Sequence, residues 1–178
     1  LDFTHPNAGA WFNEQLDGLK RDFGVDGFKF DGGAVSFYAD SVESTGDDSG
    51  LAKPFAYDPS VCAARQSALY GAFALKHAGS EYRNGFGFAG KPVVMRLHDK
   101  DHSWAALWRL VPDMIAAGLV GCPFICPDMV GGGYWQAFLP GAPFSEELFV
   151  RSAQVQAFCP MMQFSASPWR CLGAANQR

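Results

Sequence analysis

No apolar run in this 178-residue chain reaches the roughly 18 to 20 residues needed to cross a bilayer, because Asp113, Pro123 and Asp128 interrupt the most hydrophobic stretch. No membrane span is expected. Charge is scarce and scattered: 14 basic and 18 acidic residues leave a net charge of −4. Without a basic stripe there is no phosphate-neutralising face to drive counter-ion release, so nucleic acid is not an expected partner. Cysteine is odd in number and irregularly spaced, at Cys62, Cys122, Cys126, Cys159 and Cys171. That pattern suits free thiols in apolar sequence better than a disulfide framework. Cys122 and Cys126 flank a strand-like Pro-Phe-Ile with no second pair at zinc-site spacing, so no metal is expected there. No Gly-x-Gly-x-x-Gly opens a helix, and the lone triplet Gly131-Gly132-Gly133 is a weak signal, so no cofactor is expected. The opening Leu1-Asp2-Phe3-Thr4-His5-Pro6 has neither an initiator Met nor a signal-peptide pattern and reads as cut from something longer.

What the chain does have is apolar content, 48% hydrophobic and 15% aromatic, enough for one core of ordinary domain size. Trp11, Phe12, Leu16, Leu19 and Phe23 recur at helical spacing over residues 7–23, with Gly24 as terminator. A strand is expected over 25–30, ending in Asp31-Gly32-Gly33. Residues 34–57 form a polar excursion carrying Asp40, Glu43, Asp47 and Asp48, which reads as a solvated loop. Pro59 suits a first helical turn, and 61–77 is a helix rich in Ala and Leu. There follow a buried strand over 91–96 and a helix over 103–118 with Leu107, Leu110, Val111, Met114 and Ile115 on one face. A strand over 120–126, an amphipathic helix over 145–158 and a last strand over 160–164 complete the pattern. Such alternation indicates βαβ units around a parallel sheet. Polar residues close successive strands at Asp2, Asp31, Arg96 with Asp99, and Asp128. That favours a (β/α)8 barrel, whose strand ends converge on one active site, over a doubly wound sheet.

Two carboxylates suffice for glycoside hydrolysis, one attacking the anomeric carbon or activating water and the other protonating the leaving oxygen. Asp31 and Asp99 are the natural pair. An apolar strand delivers Asp31 into a glycine-loosened opening, with Lys29 two residues back on the same strand face to keep it ionised. The alternative is that Asp31 caps the turn and Lys29 merely pairs with it. The run Arg96-Leu97-His98-Asp99-Lys100-Asp101-His102-Ser103-Trp104 concentrates charge and imidazole between a strand and a helix, where Asp101 or Ser103 also suits an N-cap. His98 and His102 with the intervening Asp residues form a rival metal site, although a strand-to-helix junction does not set them on one helical face. Asp128 can orient Arg96, bind a hydroxyl or close an Asx-turn. Trp104 and Trp135 are candidates to stack on sugar faces, whereas Trp108, at helical spacing, suits the core.

The runs Gly24-Val25-Asp26-Gly27-Phe28-Lys29-Phe30-Asp31-Gly32-Gly33 and Pro127-Asp128-Met129-Val130-Gly131-Gly132-Gly133 resemble glycoside hydrolase family 31. The likeness extends to its α-galactosidase-like and myogenesis-regulating-glycosidase-like branches. It extends through Leu1 to Pro6, Arg96 to Trp104 and Arg151 to Phe164, and so covers nearly the whole chain. The resemblance implies a partial (β/α)8 TIM barrel, the C-terminal portion of a catalytic domain, over residues 1–170, with an irregular tail over 171–178. It implies a retaining α-glycosidase that hydrolyses terminal α-linked sugars, an α-galactoside or α-glucoside, by double displacement through a covalent glycosyl-enzyme. An oligosaccharide or glycoside is then the binding partner, and the stretch taken alone is a fragment expected to be inactive. The rival reading is a carbohydrate-binding barrel relative that has lost catalysis.

Carried over residue by residue, the resemblance makes Asp31 the nucleophile and Lys29 a sugar-binding residue. Asp99, five residues before Trp104, becomes the acid/base. Arg96 contacts the sugar or the acid/base, and Asp128 lines the −1 subsite. Only Leu97 and His98 separate Arg96 from Asp99, less than in most relatives, so Asp101 is a substrate contact and a rival for the acid. The substrate-binding His of many α-glucosidases has no counterpart near Gln163, Phe164 and Ser165, which leaves the sugar open. If configuration is retained, the carboxyl groups of Asp31 and Asp99 are expected about 5 to 6 Å apart.

Overall fold

The computed structural model describes residues 1–38, 56–83 and 87–173. Asp40, Glu43, Asp47 and Asp48 lie outside the described residues, as does the tail from residue 174 onward. The chain divides into two compact units, Leu1–Val93 and Val94–Arg178.

In the first unit, helix α1 (Ala8–Phe23) is stopped by Gly24, whose left-handed φ of 66° turns its N–H back onto the Lys20 carbonyl. Strand β1 (Lys29–Phe30) pairs in parallel with β2 (Glu81–Tyr82), Lys29 opposite Glu81 and Phe30 opposite Tyr82, and helix α2 (Ala63–Ala74) lies between them in the chain. This is a βαβ unit of the kind that the alternation predicts, although its second strand is β2 rather than the strand expected over 91–96. Gly27 passes so close to the Gly79 carbonyl that a methyl there would overlap it, which explains a glycine at the entry to β1. Phe30, 1% exposed, anchors the strand end, with the rings of Phe12, Tyr70, Phe73 and His77 between 5.5 and 6.3 Å from its own. Burying one such ring stabilises the unit by about 2 kcal/mol. Burial among these rings also pushes the His77 imidazole below its usual range.

The second unit repeats the scheme. Strand β3 (Val94–Arg96) pairs in parallel with β4 (Ile125–Cys126), Met95 opposite Ile125 and Arg96 opposite Cys126. Helix α3 (Trp104–Leu119) connects them, its first turn capped by the Ser103 hydroxyl, which accepts the Ala106 N–H at 3.2 Å. Strand β5 (Met129–Val130) pairs in parallel with β6 (Gln163–Phe164) across helix α4 (Glu146–Gln156), capped in the same way by Ser145. A short helix α5 (Pro168–Cys171) follows. Among the described residues no helix is long and apolar enough to cross a membrane. The five cysteines are free thiols, Cys122 and Cys126 buried and Cys62 exposed.

The strands are shorter than the apolar runs that announced them, because only their last residues meet a partner backbone. Two strands, β2 and β5, were not expected at all: two residues are too few to show a period. Pro59 does not open α2. It sits in a turn closed by Asp58, whose carboxylate accepts the Ser60 N–H and hydroxyl, and the helix starts at Ala63. Trp108 is not core either: it is 79% exposed, and Val111 and Ile115 are exposed with it. The residues α3 buries are Leu110 and Ala117, on the side that meets β4 and α4, so the apolar face read from spacing is rotated from the one in contact.

Candidate active site

Within the first unit the nucleophile candidate closes β1. Asp31 Oδ1 accepts the N–H of Gly32, whose φ of 72° opens the turn. Lys29 Nζ lies 3.6 Å from Oδ2 and Arg83 Nη1 lies 3.4 Å from Oδ1, while 45% of the carboxylate side chain is exposed. Asp31 therefore closes its turn and also keeps an open face toward solvent. Ion pairs this exposed add no more than about 1 kcal/mol of stability, so their contribution is orientation and local potential. Arg83 is the residue that sequence reasoning missed: it follows β2, and the parallel register sets it beside Asp31 at adjacent strand ends. The next turn is pinned from below. The Gly33 carbonyl accepts the Ser67 hydroxyl at 2.6 Å, and the Tyr82 hydroxyl donates to the Ser67 carbonyl at 2.8 Å. A methyl on Gly33 would overlap the Tyr82 hydroxyl, and burial pushes that phenol above its usual range.

Within the second unit the acid candidate lies three residues beyond β3. The Arg96 side chain is fully buried, and its Nη2 donates to Asp99 Oδ1 at 2.8 Å and to Asp128 Oδ1 at 2.7 Å, while Nη1 donates to the Leu97 carbonyl at 2.6 Å. Asp99 keeps 23% of its side chain exposed, Asp128 only 1%. Asp128 also accepts the N–H groups of Met129, Lys100 and Gly133 at 2.8, 2.8 and 2.9 Å. Burial pushes its carboxyl up, opposed by the Met129 N–H, the Arg96 charge and the other donors. With that donor set and that burial, Asp128 ties Arg96, the Lys100 backbone and the glycine turn together.

Lys100, which sequence reasoning left among the loop charges, is a buried strut. Its Nζ donates to the Pro127 carbonyl at 3.1 Å and the His98 carbonyl at 3.3 Å, and stands 3.2 Å from Asp113 Oδ2 on α3. The Asp113 contact is an ion pair rather than a well-aimed hydrogen bond, since Oδ2 has no hydrogen-bond partner. Lys100→Met should lower stability by about 2 to 3 kcal/mol, the low end for a buried pair because Asp113 keeps some water. Urea unfolding checks it, and recovery in Lys100→Met/Asp113→Leu would identify the stranded carboxylate as the cause.

The glycine turn presses on this cluster. A methyl on Gly132 would meet the Lys100 and Asp101 carbonyls, and one on Gly133 would overlap Oδ1 of both Asp99 and Asp128. Gly133→Ala is expected to cost about 1 to 3 kcal/mol, as overpacking does, and a thermal melt reads it. An unchanged melt would mean that the turn does not bear on the carboxylates.

The other predicted residues fall around this cluster. Asp101 is exposed, and Ser103 rather than Asp101 caps α3. Asp101 lines an open hollow of about 470 Å³ with His102, Tyr134 and Gln136. Trp104 and Trp135 are 45% and 62% exposed, so both offer ring faces. His98 is exposed, whereas both ring nitrogens of His102 are engaged by backbone groups, Nδ1 by the Gly131 carbonyl and Nε2 by the Ser145 N–H, which leaves neither for a metal. Among the described residues no group of three or more His, Cys, Asp or Glu side chains is placed to hold a metal ion.

Parallel strand–helix units with charged side chains at the strand C-termini are shared by α/β barrels and open α/β sheets, both of which place their ligand sites at those strand ends. The chain belongs to glycoside hydrolase family 31: the model described as the glycosyl hydrolases family 31 TIM-barrel domain matches residues 1–173. The chain is 36% identical over 177 residues to the myogenesis-regulating glycosidase of Mus musculus, covering 96% of this chain and 23% of that protein. It is 30% identical over 181 residues to the SITS-binding protein of Tetronarce californica, 95% of this chain and 22% of the other. It is also similar to the isomaltosyltransferase of Sporosarcina globispora, at 27% identity over 178 residues, all of this chain and 15% of that protein. The chain thus spans less than a quarter of the length of these relatives.

Proposed function

We propose that this chain supplies the catalytic carboxylates of a retaining α-glycosidase acting on terminal α-linked sugars, an α-galactoside or an α-glucoside. Residues 1–170 are then the C-terminal portion of a (β/α)8 catalytic barrel and 171–178 an irregular tail. The observation that carries the reading is that Asp31 directly follows β1 and Asp99 lies three residues beyond β3, each with a partly exposed carboxylate held by cations, Asp31 by Lys29 and Arg83 and Asp99 by Arg96.

In the first step Asp31 attacks the anomeric carbon and the bond to the leaving oxygen breaks, while Asp99 gives that oxygen its proton. In the second, Asp99 takes a proton from water, the water oxygen attacks the anomeric carbon, and Asp31 leaves as carboxylate. Lys29 and Arg83 hold the nucleophile and, with Trp104 and Asp101, meet the sugar or its aglycone. Arg96 acts on Asp99, and Asp128 acts through Arg96 rather than on a hydroxyl, because its oxygens are already engaged.

Assay of the full-length protein on aryl α-galactoside, α-glucoside and α-xyloside, with the first-formed anomer read by NMR, tests this. Turnover with the α-anomer released first is expected. Release of the β-anomer would sink the retaining mechanism, and sugar binding without turnover would favour the non-catalytic relative.

A further inference from the structure

We infer that His102 is a positioning residue for the acid step, acting through the Gly131 carbonyl; the inference rests on the assignment of Asp99 as the acid/base. A backbone carbonyl can only accept and a backbone N–H can only donate, so the partners of the ring dictate its tautomer. Nδ1 carries the proton and gives it to the Gly131 carbonyl at 2.7 Å; Nε2 is bare and accepts the Ser145 N–H at 3.0 Å. The ring is stacked on Phe144 at 4.6 Å with an interplanar angle of 7°, which holds it in that orientation. One neutral imidazole therefore joins three segments, the loop bearing Asp99, the glycine turn after β5 and the cap of α4.

The glycine turn has a second job that makes this join matter for chemistry. Gly133 abuts Asp99 Oδ1 and donates to Asp128, which shares Arg96 Nη2 with Asp99. At its far end Tyr134 N–H is held by the Lys100 carbonyl at 3.2 Å, and at its near end Gly131 is held by Ser152 and by His102. Releasing the Gly131 carbonyl leaves the near end tied through its N–H to Ser152 alone, and the shift that this permits reaches Asp99 through Gly133 and the shared guanidinium. Misplacing an acid by a fraction of an ångström slows proton delivery while leaving attack by the nucleophile in place.

The two ring contacts can be separated. An Asn side chain at 102 sets its amide near the Nδ1 position and can still donate to Gly131, whereas a Gln reaches the Nε2 position and can still accept from Ser145. Each variant of the full-length protein loses one bond. kcat/KM is measured for His102→Asn, His102→Gln and Asp99→Ala across aryl glycosides of rising leaving-group pKa, with a thermal melt for each. His102→Gln should lose about 10- to 100-fold on the poorest leaving groups and little on an acidic phenol, steepening the dependence in the direction that Asp99→Ala does. His102→Asn should keep the dependence of the unmodified protein, even where its melting temperature falls as far. If both His102 variants lose rate evenly across the series, or His102→Gln leaves the dependence unchanged while Asp99→Ala steepens it, the positioning role is overturned and the acid assignment stands. If Asp99→Ala itself shows no steepening, the acid assignment fails and the inference falls with it.

Discussion

Asp31→Ala in the full-length protein is expected to abolish turnover of every glycoside, activated or not, by a factor of at least about 10^4, the scale of losing a covalent nucleophile. In energetic terms that is more than about 5 kcal/mol of transition-state stabilisation. No leaving group escapes the loss, because each must be displaced by the same carboxylate. Stability should barely move, since the Asp31 ion pairs are nearly half exposed and contribute little. A fluorinated glycosyl fluoride that forms the intermediate quickly and releases it slowly should label the unmodified protein, with the adduct mapped to Asp31. Labelling elsewhere, or substantial activity in the variant, would remove Asp31 from the nucleophile's role.

Asp99→Ala should behave differently, because an acid is needed only where the leaving oxygen needs a proton. Hydrolysis of natural glycosides should fall by about 10^2 to 10^4-fold, the range for a lost general acid. With an acidic phenol the first step should survive and the second should become limiting, because no base activates the water. Azide, which needs no base, should then restore turnover and yield the α-glycosyl azide, entering the face that the missing carboxylate vacates. The substitution also leaves Arg96 with one fewer anion, although Asp128 keeps its own contact with the same nitrogen. If activated and natural substrates suffer alike and azide does nothing, while Asp101→Ala is rescued, the acid is Asp101.

Much of this was legible from residue order alone. The helix ending at Gly24, the Ser103 cap, the alternation of strand and helix and the carboxylates at strand ends all follow from local rules of turn chemistry and periodicity. The run that carries the resemblance to the family, Gly24 to Gly33, is likewise continuous. Lys29 beside Asp31 and Arg96 beside Asp99 and Asp128 were pairings that the sequence offered, and the structure makes each contact. The Arg83 contact was not legible, because it depends on register between segments far apart in the chain. Arg83 reaches Asp31 only because Tyr82 lies opposite Phe30, and a two-residue strand leaves no period to read. The buried role of Lys100 was hidden for a related reason. In sequence a Lys in a charged loop is a solvated Lys, and only the return of Pro127, Asp128 and the glycine turn over residues 96–102 removes its water and supplies the acceptors that make burial tolerable.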